Sequence, residues 1–217
     1  AIDASGGDAS LKLKMASLLA HVRRRDDAVA MARQAAAQRP GNGPLHWQAG
    51  TLLGLCNRHS LALDYYRTAR EALGDIAPLL YDIAVAQFFT GDLEGAETNL
   101  DKLLTIAPTA GHAHYLRSTL RRQTSARNHV AILEQRLATG FDRPDAEAAA
   151  LYALAKEFED LGEHASAFSM LTRAAATKRG TLKYDVSIER ASMQALMDAY
   201  TADQMAAGTR TGEGEGP

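Results

Sequence analysis

APLLYDIAVAQFFTGDLEGAETNLDKLLTIAPTA, residues 77–110, decides the fold. Two runs with helical apolar spacing flank Gly91-Asp92, and a glycine there can adopt the left-handed backbone that ends a helix. Pro78 sits where a first helical turn tolerates proline. Pro108 stops the second run, because it has no N–H to donate and clashes with the preceding turn. The stretch reads as helix, tight turn, helix. Two such helices need small residues where they close to about 8–10 Å, and Ala84 and Ala96 supply them. Both positions recur at a step of 34, as Ala16, Gly50 and Ala84 and as Ala28, Ala62 and Ala96.

A 34-residue helical pair with this placement of small residues resembles the tetratricopeptide repeat. The resemblance implies an all-α fold, a right-handed α-solenoid of about five helix pairs. Repeats are expected near 9–42, 43–76, 77–110, 111–147 and 148–181, with three residues inserted before the last. The second unit carries Gly50, Leu53, Ala62, Tyr66 and Ala69. The fifth carries Ala155, Phe158, Gly162-Glu163, Ala167, Leu171 and Ala174. The apolar spacing predicts helices over 9–21, 26–38, 44–56, 59–71, 78–89, 93–106, 111–123, 128–139, 146–161, 164–177 and 186–200. The last of these has no partner and is expected to cap the solenoid, which thus fills 9–205. Residues 1–8 are expected to be disordered, and 206–217, where glycine alternates with glutamate, to form a flexible linker or tail.

Hydrophobic residues make up 46% of the 217, and aromatics 6%, as suits a folded helical chain rich in alanine. Basic and acidic side chains nearly balance, 24 against 26, so nothing draws the chain as a whole to nucleic acid or anionic membrane. The arginine clusters at 23–25 and 121–122 are short and have acidic neighbours, and they read as solvated helix ends. Lone Cys56 allows no intrachain disulfide, and no run approaches the length of a membrane span or a signal core. These features together predict a cytoplasmic location. Among the seven histidines, His112 and His114 are two apart and diverge on a helix. His46, His59, His129 and His164 lack companions at ligand spacing. No phosphate-binding loop, dinucleotide fingerprint or nucleophile elbow occurs. The carboxylates Glu157, Glu159, Asp160 and Glu163 read as a solvated face, and no catalytic, cofactor-binding or metal-binding residue is assigned.

The fourth repeat breaks the pattern. Arg117, Ser118, Arg121 and Glu134 fall where its neighbours place apolar groups. Either an Arg–Glu network is buried across the helix pair, or the unit is rotated and these charges face water.

Stacked first helices line the concave groove of such a solenoid with the second, fifth, ninth and twelfth positions of each repeat. The fifth reads Leu13, Trp47, Tyr81, Tyr115 and Tyr152, a ladder of large rings that offer contact area at small entropic cost. Trp47, Thr51, Tyr81, Tyr115, Thr119, Arg122, Tyr152 and Lys156 are therefore the candidate peptide-binding face, and the expected partner is a protein or peptide. The same rings can instead pack between adjacent first helices. The ninth positions, Ser17, Thr51, Val85, Thr119 and Lys156, lack the Asn and Lys pattern with which chaperone-binding repeats hold a terminal carboxylate.

A narrower resemblance begins at Leu120. Leu-Arg-Arg-Gln-Thr at 120–124 and Asn-His-Val-Ala-Ile-Leu-Glu at 128–134 resemble the repeat region of bacterial proteins that join tetratricopeptide repeats to a sulfotransferase domain. Leu151 to Lys156, Glu159 to Glu163, Ala167-Phe168, Lys178-Arg179 and Tyr184-Asp185 look like the segment preceding that family's catalytic half. The resemblance covers 111–205 and implies a substrate-recruiting or regulatory domain. The sulfotransferase, using 3′-phosphoadenosine 5′-phosphosulfate, would follow in the parent protein. This chain carries no such phosphate loop, so no catalytic residue is transferred and these residues are not expected to be an enzyme. The alternative is a stand-alone scaffold or assembly adaptor.

Overall fold

The computed structural model describes residues 8–200. The predicted disordered start and flexible tail lie outside the described residues, apart from Asp8. Eleven helices are present among the described residues, and no strand. They are α1 (Ala9–His21), α2 (Arg25–Ala37), α3 (Gly43–Leu55), α4 (His59–Leu73), α5 (Ala77–Thr90), α6 (Leu93–Ile106), α7 (Gly111–Thr119), α8 (Val130–Thr139), α9 (Pro144–Asp160), α10 (His164–Thr181) and α11 (Val186–Ala199). The chain divides into two compact units, one ending at Gly180 and one beginning at Thr181.

Local chemistry sets the helix ends. Asn42 caps α3 by accepting from the Leu45 N–H at 3.0 Å, and Asp92 caps α6 by accepting from the Gly95 N–H at 3.0 Å. Gly91 ends α5 at φ 84°, a left-handed conformation that favours glycine. In the first three units the helices pair in sequence, α1 with α2, α3 with α4 and α5 with α6, and each pair packs on the next through α2 to α3 and α4 to α5. Every alanine in the two 34-residue series is fully buried, and Gly50 is buried with them. Gly50 shows why: a Cβ there would stand 2.6 Å from the Tyr66 ring. The smallest residue in α3 makes room for a large ring in α4.

The fourth unit departs from this scheme. α7 ends at Thr119, four residues short of the predicted 123, and residues 120–129 form a loop closed by a bridge between Thr124 and Arg127. α7 packs most closely against α9, and α8 packs on the same helix. Gly111 permits the approach, because a Cβ there would meet the Ala146 carbonyl oxygen at 1.9 Å. The polar positions explain the early helix end: Ser118, Gln123 and His129 all hydrogen-bond to α9 carboxylates or loop backbone rather than continuing a helical ladder.

In the second unit, none of the residues of α11 is buried. Asp185 caps this helix by accepting from the Ser187 N–H at 2.9 Å, and Ile188, Met193, Leu196 and Met197 are exposed.

Candidate functional site

Three of the eight candidate residues line one cavity of about 390 Å³: Tyr115 on α7, and Tyr152 and Lys156 on α9. Its far wall is α10, through Ala167, Phe168 and Leu171, with Glu159 and His164 near the turn. Tyr115 is 45% exposed, Phe168 70% and Leu171 46%, so the groove presents rings and an aliphatic chain to solvent. The sequence reading missed the α10 wall. Leu171 falls at one of the fifth unit's repeat positions, yet only Ala174 is buried on that helix. Phe168 and Leu171 stand three apart, a spacing that puts both on one side of a helix and was legible as a stripe.

Lys156 is held in place, its Nζ donating to the Arg121 carbonyl at 2.6 Å and to Asp160 at 2.5 Å. Asp160 also accepts from the Gln123 N–H at 2.7 Å. Burial pushes the Asp160 carboxyl up, but the Gln123 N–H and the Lys156 ammonium outweigh it and keep it below the ordinary range.

The other five candidates are placed differently. Trp47 is half-buried, and its indole N–H donates to Asp82 at 2.7 Å across to α5. Exposed Thr51 donates to the Trp47 carbonyl at 3.1 Å. Tyr81 is half-buried, edge-on to His112 at 4.6 Å, and its hydroxyl is raised by burial and by the neighbouring Asp82. Thr119 donates to the Leu116 carbonyl at 2.8 Å, and Arg122 is exposed. Trp47 and Tyr81 thus each make contacts between first helices.

Beneath the groove lies the polar network that the fourth repeat foreshadowed, and its acids are not the predicted one. Glu134 is exposed, whereas Arg117 is buried and Arg121 half-buried. Glu157 on α9 is fully buried; it accepts from the Ser118 hydroxyl at 2.5 Å and the His129 backbone N–H at 2.5 Å, with His129 Nδ1 at 2.9 Å. Glu97 on α6 receives Arg121 and Arg127, and His129 Nε2 lies 3.4 Å from it. Burial opposes ionisation of both carboxylates, yet these donors prevail and hold each below its usual range. The loop 120–129 is thereby fastened to α6 on one side and α9 on the other. Among the described residues no group of three or more His, Cys, Asp or Glu is arranged to hold a metal ion, and no helix is long and apolar enough to cross a membrane.

No family model matches the chain, and no curated protein matches it. Solved structures do. MamA from Desulfovibrio magneticus RS-1 superposes with a TM-score of 0.60 at 13% identity, over 83% of this chain and 99% of that one. The TPR-like repeats of a Podosopora anserina protein described as a kinesin light chain give 0.61 at 13%, over 81% and 97%. YrrB, described as a TPR protein with an unusual peptide-binding site, gives 0.54 at 18%, over 80% and 88%. At these identities the likeness shows the fold: the chain is an α-solenoid of the tetratricopeptide type.

Proposed function

We propose that the chain is a protein-interaction module and that the groove between α7, α9 and α10 takes an extended peptide bearing an apolar or aromatic side chain. The observation that carries this reading is the clustering of exposed Tyr115, Phe168 and Leu171 beside Tyr152 around one cavity, because exposed apolar groups gathered in a concavity mark binding surfaces more often than scattered ones do. The described peptide site of YrrB, on a similar scaffold, supports it. In this reading Trp47, Thr51, Tyr81, Thr119 and Arg122 extend the same face, with Trp47 and Tyr81 chiefly holding adjacent first helices in register. The test is a selection of displayed peptides on the full chain, followed by affinity measurement on Tyr115→Ala/Tyr152→Ala and Phe168→Ala proteins. Affinity should fall at least tenfold in both with the helical circular dichroism unchanged. Undiminished affinity in folded variants would overturn the assignment.

A second reading rests on the sequence at 120–134 and 151–185, which resembles repeat domains fused to sulfotransferases. In it the module recruits an acceptor for a neighbouring sulfotransferase domain and acts through effective concentration. The stand-alone adaptor is the competing case. Reading the native frame beyond Pro217 distinguishes them, since a strand followed by a phosphate loop supports the fusion and a stop codon removes it.

A further inference from the structure

Rings and charged groups together line the groove between α7, α9 and α10. Tyr152, Lys156 and Glu159 follow one another along one side of α9 at helical spacing, and they share the cavity with Tyr115 from α7 and Phe168 from α10. Lys156 has little attraction left for an acid, because its ammonium already meets the Asp160 carboxylate at 2.5 Å and the Arg121 carbonyl at 2.6 Å. Arg122 lies outside the lining, on the Asp160 side. Glu159 is different: it is exposed, and its carboxylate has no hydrogen bond or ion pair among the described residues. Of the ammonium and carboxylate groups in the lining, Lys156 is therefore satisfied and Glu159 is not.

These are groups that a ligand can reach, since Tyr115 is 45% exposed, Phe168 70%, and Tyr152 half-buried. An aromatic face is the negative part of the ring's charge distribution, and it attracts a cation held within about 6 Å of its centre. A free carboxylate in the same cavity acts in the same direction. An acidic side chain would be repelled by Glu159 and would find Lys156 engaged. A purely apolar one would use the rings and gain nothing from the carboxylate. Only a cation uses both. We propose that the peptide partner is basic: a Lys or Arg next to its apolar anchor enters the groove, with the alkyl stem against the apolar lining and the charge beside Glu159 and the rings of Tyr115, Tyr152 and Phe168. Lys and Arg can lay their stems on apolar surface while the charged head stays in water, so this contact does not require the cation to be buried. The inference rests on the peptide reading of this groove and adds to it the charge of the partner.

The experiment uses peptides selected by display on the full chain at about pH 8, where imidazoles of ordinary basicity are neutral. Enriched sequences should carry Lys or Arg beside an apolar or aromatic residue. In synthetic copies, replacing that Lys by norleucine or that Arg by citrulline removes the charge, and affinity should fall about tenfold. Against the Glu159→Gln protein the same replacement should lower affinity by no more than about threefold, because the two changes share one contact. Affinity of the cationic peptide should also weaken as salt rises from about 50 to about 500 mM, while that of its neutral copy holds. Peptides that depend on Tyr115, Tyr152 and Phe168 yet lack a cation, or tolerate its removal, overturn this inference and leave the peptide groove standing. An equal loss against Glu159→Gln and the unaltered chain overturns it as well. Peptides indifferent to the ring variants, or no enrichment at all, overturn the groove reading and the inference with it. Should Glu159→Gln fail to fold, the salt dependence of the paired peptides decides.

Discussion

His114 gives the clearest consequence of a single residue's surroundings. Burial, aided by Arg117, Arg136 and His129 and opposed by the Pro108 hydrogen bond, pushes its imidazole down to about 4. In the unfolded chain it titrates near the ordinary value of about 6.5. Between those values the unfolded state binds more protons, so stability is lost as pH falls from 6.5 towards 4, by about 3 kcal/mol in all. Urea denaturation across that window should show this slope, and His114→Gln should remove most of it, the rest coming from His112, whose imidazole burial also pushes down. Gly50 supplies a second test at this scale. An added methyl group would run into the Tyr66 ring, which is 4% exposed and has little room to move. Gly50→Ala should cost about 1–3 kcal/mol by urea denaturation. Part of that loss should return in a Tyr66→Leu background, because the two changes share one contact.

Among the elements, the loop 120–129 stands out because two of the carboxylates that fasten it, Glu97 and Glu157, are buried. Glu157 receives three donors on the buried face of α9. Glu157→Ala leaves a buried hydroxyl and a buried N–H unpaired and should cost about 3 kcal/mol or more. Glu97, Glu157 and Asp160 all have carboxyl groups held below their unfolded values. Their contribution is therefore present at neutral pH and is lost as pH falls below about 4.5, a window under that of His114. Melting temperature followed by circular dichroism should decline in two stages, and Glu157→Gln should flatten the lower one. At the junction of α7 and α9, Gly111→Ala should be worse tolerated than Gly50→Ala, because the added Cβ would meet backbone at 1.9 Å where Gly50 would meet a side chain at 2.6 Å.

At the scale of the whole molecule, the buried apolar clusters among the described residues are four, strung along the chain rather than merged into one central core. Each helix pair stabilises its neighbours and little else, as in any solenoid. Damage should stay local. Hydrogen exchange on the Glu157→Ala protein should speed in α7, α8 and α9 while α1 to α4 keep their protection; uniform acceleration would show a single cooperative unit instead. The sequence by itself determined the first three helix pairs, the 34-residue step and the buried Ala and Gly series, because backbone punctuation and side-chain size act within one repeat and repeat themselves. The tertiary structure alone decided the rest. That Arg117 is buried and Arg121 half-buried while Glu134 is exposed depends on which helix lies across from them. Their acidic partners, Asp101 and Glu97, lie 16 and 24 residues away along the chain. The groove wall at Phe168 likewise arises from three helices meeting, and no local spacing encodes which three.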